Sequence, residues 1–224
     1  MFAGFVFALG PVLNLYFTSI IRLEGDRFSY LPSLFAYATV TLAAFAIFRK
    51  AAYPLLAIYL LINIYCLQKN TSAWYSSRQV SQSLQENFKW SNEPHIYILN
   101  LPDNFDGAYM FRGLPPDNFF AKTIDLKHGK QLEPKCELIL QYNMNFTTDS
   151  FTVEKISDNQ LQLKFAQYGA WWWLGGIGAG NYETDNYAVN IDEWGAAIIS
   201  FKKKIPGAVY LYQCGTHWKQ VQGF

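Results

Sequence analysis

Five residues near the amino terminus have the types and spacing to contact a lipid phosphate or a substrate: Arg22, Glu24, Asp26, Arg27 and Tyr30. Two guanidinium groups this close together can make charge-assisted hydrogen bonds to phosphate oxygens. Tyr30 stands where an aromatic side chain would mark a membrane interface. The plainer reading is a membrane-surface turn in which Asp26 pairs with Arg27, or Glu24 with Arg22, in solvent. A second candidate set is aromatic. Trp171, Trp172 and Trp173 run directly into the glycine-rich segment Gly175–Gly180. In a strand, Trp171 and Trp173 share one face and Trp172 takes the other. The outward pair could then stack on a glycan or lie on a membrane surface, with Trp172 in the core. The glycines read as a hairpin tip. A phosphate-cradling loop would need a helix to follow, and Asn181–Tyr187 does not start one.

The remaining chemistry-bearing residues form no motif. His95, His128 and His217 lie far apart and lack the short spacing of a metal site, so no metal and no cofactor is expected. Asp103, Asp106, Asp185, Asp192 and Glu193 read as carboxylates of solvated turns. Any two would suit a glycosidase pair only if the fold brought them together. Cys136 and Cys214 could form a disulfide in an oxidising compartment; otherwise they are buried thiols. The sequons at Asn70 and Asn145 matter only in a eukaryotic secretory pathway.

The elements that must position these residues divide the chain in two. Its 224 residues carry 18 Lys+Arg against 17 Asp+Glu, a net charge of +1. This balance excludes a basic nucleic-acid-binding domain, and no nucleic-acid partner is expected. The mean hydropathy of 0.00 conceals a sharp asymmetry. Residues 1–67 hold six charged groups (Arg22, Glu24, Asp26, Arg27, Arg49 and Lys50), and the other 29 follow. Three charge-free runs, at about 2–21, 28–48 and 51–68, each approach the roughly 20 residues that cross a bilayer. Three transmembrane helices are therefore expected in residues 1–68. The positive-inside rule places Arg49-Lys50 in the cytoplasm and the large C-terminal domain outside it, in an inner or plasma membrane. Apolar groups at Val80, Leu84 and Phe88 predict a connecting helix over 69–92. From 93 to 224, short alternating segments separated by turn residues predict a soluble, mainly antiparallel β (α+β) domain of sandwich type. Pro102–Gly107 reads as a turn-rich loop. Asp117 reads as the cap of a short helix, and Ser157–Asn159 and Ile205–Gly207 as hairpin turns.

The segment Asp26-Arg27-Phe28-Ser29-Tyr30-Leu31-Pro32-Ser33 resembles a signature found late in polytopic GT-C-type glycosyltransferase-like membrane proteins, the group related to the protein O-mannosyltransferases. The segment Asn100–Arg112 is also similar to the region after the last span in some bacterial members. The resemblance implies use of lipid-phosphate-linked sugars on the outer membrane face, with Arg22 and Arg27 near the lipid phosphate. In that family the catalytic acid sits in an early outer loop of a chain with around ten spans. This sequence has three apolar runs and no such loop. The resemblance therefore implies the C-terminal portion of a cell-envelope glycosyltransferase-like protein, inactive alone, whose β domain binds glycan or acceptor. The alternative is a non-enzymatic membrane-anchored module that binds glycan or protein. The partners in either case are the lipid bilayer and a lipid-linked sugar or glycan.

Overall fold

The computed structural model describes residues 26–113, 118–129, 131–166, 170–174, 177–178, 180–193 and 195–224. They form two compact units that divide at Asn70/Thr71. Helix α1 spans Asp26–Phe48, and helix α2 spans Ala52–Glu86, crossing the division. A single 3-10 turn, Arg49–Ala51, joins them.

One helical stretch among the described residues, Tyr37–Glu86, is long and apolar enough to cross a membrane. Only 6% of its most apolar window is buried. Its large side chains, Leu42, Ile47, Leu55, Leu60 and Leu61 among them, are exposed. The stretch is not straight. Arg49 adopts φ 49°, a left-handed conformation uncommon outside glycine. The rings of Tyr37 and Tyr59 lie 6.2 Å apart, and those of Phe45 and Tyr53 lie 5.1 Å apart. A continuous helix would separate Tyr37 from Tyr59 by about 33 Å. The chain therefore reverses at Arg49. Three separate transmembrane helices are not found among the described residues; the expected second and third fall in α1 and the first half of α2, the two arms of this reversal. The run at 2–21 lies outside the described residues, and only a three-residue turn separates the runs at 28–48 and 51–68. Pro32 falls inside α1 and not at its start, because the helix begins at Asp26.

The second unit contains twelve described strands in two sheets. The first sheet has the order β12-β11-β1-β3-β6-β7, with the short β2 on β1. Here β1 is His95–Phe105, β2 Ala108–Tyr109, β3 Cys136–Met144, β6 Trp171–Leu174, β7 Ile177–Gly178, β11 Ala208–Cys214 and β12 His217–Gln220. The second sheet, order β4-β5-β10-β9-β8, is antiparallel throughout. It comprises β4 Phe151–Ser157, β5 Gln160–Phe165, β8 Tyr182–Glu183, β9 Tyr187–Ile191 and β10 Ala197–Phe201.

The expectation of a mainly antiparallel domain is met: the second sheet is antiparallel throughout, and the first is mixed, with parallel pairing among the described strands at β1 alone. Strand β1 pairs in parallel with both β3 and β11. Parallel neighbours need a crossover, and helix α3 (Phe119–His128) lies in the connection from β1 to β3. Its N-cap is Asn118, whose Oδ1 accepts from Ala121 N at 3.1 Å; Asp117 lies outside the described residues. Gly129 at φ 64° closes the helix. The second sheet fills the return from β3 to β11. Asp158-Asn159 does turn the β4–β5 hairpin. Ile205–Gly207 does not form a hairpin, because β10 and β11 belong to different sheets.

One apolar core unites these layers. Tyr97 of β1 meets Phe201 of β10 at 5.1 Å, and Tyr142 of β3 meets Phe151 of β4 at 4.7 Å. Elsewhere in the core Phe120 of α3 packs on Trp218 of β12 at 5.2 Å and on Phe111 at 5.3 Å. Trp218 Nε1 donates to Leu84 O at 2.8 Å, tying the end of α2 to β12. Phe120 is fully buried. Phe120→Ala should lower unfolding free energy by about 3–5 kcal/mol, read from the midpoint shift in urea denaturation.

Candidate functional site at the carboxyl edge of the parallel strands

Parallel strands end on the same edge. In open sheets of this kind, ligands bind outside the carboxyl ends, where connections leave in opposite directions. From β1 the chain moves to β3 on one side, then returns past β1 to β11 on the other. The carboxyl edge of β11-β1-β3 is thus the place to look for a site, and the buried polar residues gather there.

Strand β1 is buried from Ile96 to Asn104, although the stretch includes Asn100, Asp103 and Asn104. The ladder to β11 is regular up to Ile98–Leu211. Two residues on, a side chain replaces it. Asn100 Nδ2 donates to Gln213 O at 3.2 Å, and Gln213 N donates to Asn100 Oδ1 at 2.8 Å. The Asn100 carboxamide thereby holds the two strands a side chain's width apart. Gln213 also accepts from the Tyr142 hydroxyl and donates to Gly215 O. Burial, reinforced by the charge of Asp149, raises the Tyr142 pKa well above the usual tyrosine value, so the phenol remains a donor.

The β1–β3 register shifts between Pro102 and Asn104, a bulge that carries Asp103. Bulges re-aim side chains. Here the Asp103 carboxylate, fully buried, receives Arg112 Nε at 3.0 Å on both oxygens and Nη2 at 2.7 Å on Oδ2. Asn104 Nδ2 donates to the same Oδ2 at 3.0 Å. The guanidinium also lies 3.9 Å over the Tyr109 ring. Burial opposes the Arg112 charge, but hydrogen bonding and attraction from Asp103 more than reverse this, and the pKa stands above its ordinary value. The loop expected at Pro102–Gly107 is therefore mostly strand. Only Asp106-Gly107 turns, both with positive φ (45° and 85°), as a two-residue hairpin requires. Asp103 is no solvated turn carboxylate but the anchor of the segment ending at Arg112.

Two further contacts close the edge. Gln141 Nε2 donates to Phe111 O at 2.8 Å, bringing that segment to β3. Asp149 Oδ2 accepts from Asn145 N at 2.8 Å and Phe146 N at 3.1 Å, while its carbonyl accepts from Gly215 N at 2.8 Å. Gly215 is at φ 61°, and a Cβ there would stand 3.3 Å from Thr147 O, so the two loops approach as closely as glycine allows.

The residues singled out from sequence fare differently. Arg22 and Glu24 lie outside the described residues. Asp26, Arg27 and Tyr30 are described by backbone alone, in the first two turns of α1. Trp171 lies beside the carboxyl edge, 51% exposed, with its backbone N donating to Asn143 Oδ1 at 2.7 Å. Trp172 is buried against Phe151 and Phe165. Trp173 is described by backbone alone, opposite Gln141. The disulfide between Cys136 and Cys214 is corrected: both are free thiols. Cys136 pairs with Ile96 at the start of β3, whereas Cys214 ends β11, and β1 runs between the two strands. Two strand spacings, about 10 Å, already exceed the Cα separation that a disulfide tolerates. Burial pushes the Cys136 thiol up to about 12, which leaves it unreactive. Among the described residues, no group of three or more metal-ligating side chains comes together.

A smaller ionisable group lies at the opposite, amino end of β1. His95 Nε2 is 3.3 Å from Glu137 Oε1 without the alignment of a hydrogen bond, while Asn186 Nδ2 donates to that oxygen at 2.8 Å. Burial lowers the His95 pKa, partly offset by Glu137. No protein-family model, no curated protein and no solved structure matches the chain.

Two measurements check these groups. Arg112→Met leaves Asp103 buried and unpaired and should cost about 3–5 kcal/mol in urea denaturation, much of it recovered in the double variant with Asp103→Leu. His95 binds its proton less readily folded than unfolded. Its contribution is whole above the unfolded value of about 6.5 and is lost as pH falls through the lower folded value. Melting temperature should fall over that range, and less steeply in His95→Gln.

Proposed function

We propose that this chain is the C-terminal portion of a cell-envelope, glycosyltransferase-like integral membrane protein, with its β domain outside the cytoplasm. In this reading the β domain binds glycan or acceptor and does not transfer sugar by itself. The observation that carries the reading is the carboxyl edge of β11-β1-β3. Strands part there around Asn100 and Gln213, whose buried, mutually hydrogen-bonded groups lie at the edge where parallel strands of open sheets take ligands. Three features support the membrane and lipid side. The helical stretch exposes a lipid-like surface, Arg49-Lys50 occupy the turn between α1 and α2, and Asp26–Ser33 resembles the GT-C signature. Arg22 and Arg27 would then hold a lipid phosphate by charge-assisted hydrogen bonds.

A second reading, a membrane-anchored module without any part in sugar transfer, is favoured by one observation. Residues 71–224 have a core and a candidate site of their own. Binding of polyprenyl-phosphate-mannose to the chain in detergent separates the two. The first reading expects binding that weakens about tenfold in Arg27→Ala, the equivalent of one lost charge-assisted contact. Equal binding by both proteins removes the lipid-phosphate role. Binding of free oligosaccharide alone leaves the anchored module.

A further inference from the structure

We propose that the carboxyl edge of β11-β1-β3 lies on the bilayer surface, with Trp74, Tyr75 and Phe146 seated at the level of the lipid headgroups. This rests on the membrane reading above and goes beyond it. It gives one end of the β domain a partner and sets the candidate site against lipid.

The second unit is entered from an apolar segment. It begins at Thr71, three residues after the charge-free run 51–68 ends. Three helical residues advance about 4.5 Å. The end of this unit that holds Thr71–Tyr75 is therefore within one helical turn of chain that suits a bilayer. That end is the carboxyl edge. The Trp74 ring meets the Tyr109 ring edge-on at 6.4 Å, and the Ser77 hydroxyl donates to Tyr109 O at 2.9 Å. Tyr109 belongs to β2, opposite Asn104 at the end of β1. The hairpin tip between them reaches β3, where Asp106 N donates to Met144 O at 2.9 Å. Two residues further on stands Phe146.

Trp74, Tyr75 and Phe146 are 55%, 63% and 56% exposed. Phe146 is not on a loose loop: its N and Asn145 N both donate to the buried Asp149 carboxylate. Trp171, whose backbone N is bonded to Asn143, stands beside the same edge and is half exposed. Large apolar side chains exposed singly are ordinary, whereas several gathered at one end mark a surface that meets a partner. Aromatic rings in particular settle at a headgroup interface, where one side is apolar and the other wet. Among the described residues, the unit's remaining exposed large apolar side chains are Phe119, Leu126 and Ile156, on α3 and β4, with no Trp or Tyr among them.

The charges at this edge select the lipid. Asp103 is paired with Arg112, and Asp149 is buried, but Asp106 is exposed at the hairpin tip. An exposed carboxylate repels anionic headgroups, so the rings must supply the attraction, and a zwitterionic bilayer suits the surface.

The test uses the full chain in phosphatidylcholine nanodiscs, in single variants in which benzoylphenylalanine replaces Tyr75, Phe146, Leu126 or Ile156. All four positions are exposed, so the fold should be kept. After illumination, covalent lipid adducts are counted by mass spectrometry. The expected result is adducts at positions 75 and 146 about tenfold above those at 126 and 156, as an aromatic interface requires. Adducts at 146 no more frequent than at 126 and 156 overturn the proposal, even where 75 is labelled. Alkaline carbonate extraction of membranes carrying the chain separates that failure from failure of the membrane reading. A chain that stays in the pellet keeps the membrane reading. A chain released to the supernatant removes it, and the proposed surface with it.

Discussion

A carboxylate on the central strand of a sheet cannot stay charged without partners, and much of the second unit is arranged around supplying them. Asp103 sits on β1, flanked by β3, with the second sheet and helical segments contributing to the same core. Removing such a group from water costs several kcal/mol unless its partners are close and well aligned. The bulge turns it toward Arg112, and the tight Asp106-Gly107 turn brings Arg112 back within reach. The segment so anchored reaches Gln141 and Phe120, which connects the ion pair to β3 and α3.

Asn100 and Gln213 solve a related problem. A strand pair that parts inside a core exposes backbone groups that nothing else can satisfy. The Asn100 carboxamide offers one donor and one acceptor at the spacing of the lost ladder, and both are used. Tyr142 and Gly215 complete the network through the Gln213 side chain. The carboxyl edge is therefore polar and yet rigid, a foundation on which exposed groups such as Trp171 can be held in place.

Local signals made a good part of this legible. Period-two alternation marked residues 93–224 as β, because burial of one face depends on neighbours only two positions apart. The extension of β1 past Leu101 was hidden by Pro102, Asp103, Asn104 and Asp106, a composition that belongs to turns when nothing distant satisfies it. The short β2, β7, β8 and β12 are too brief to show a period. By sequence Asp103 reads as a solvated carboxylate for the same reason: its pairing with Arg112 depends on a bulge and a turn, not on spacing.

From the sequence alone came the apolar character of the first 67 residues, the basic pair between α1 and α2, and the β character of the remainder. These follow from composition and short-range period. Strand direction and neighbour order came only from the tertiary structure. They made the pairings of β1 with β3 and β11 parallel, set Cys136 and Cys214 on either side of β1, and gathered Asn100, Asp103, Asn143 and Gln213 at one edge. Which strands become neighbours is a contest among long-range pairings, each decided by burial across the whole domain. No window of the sequence contains both partners.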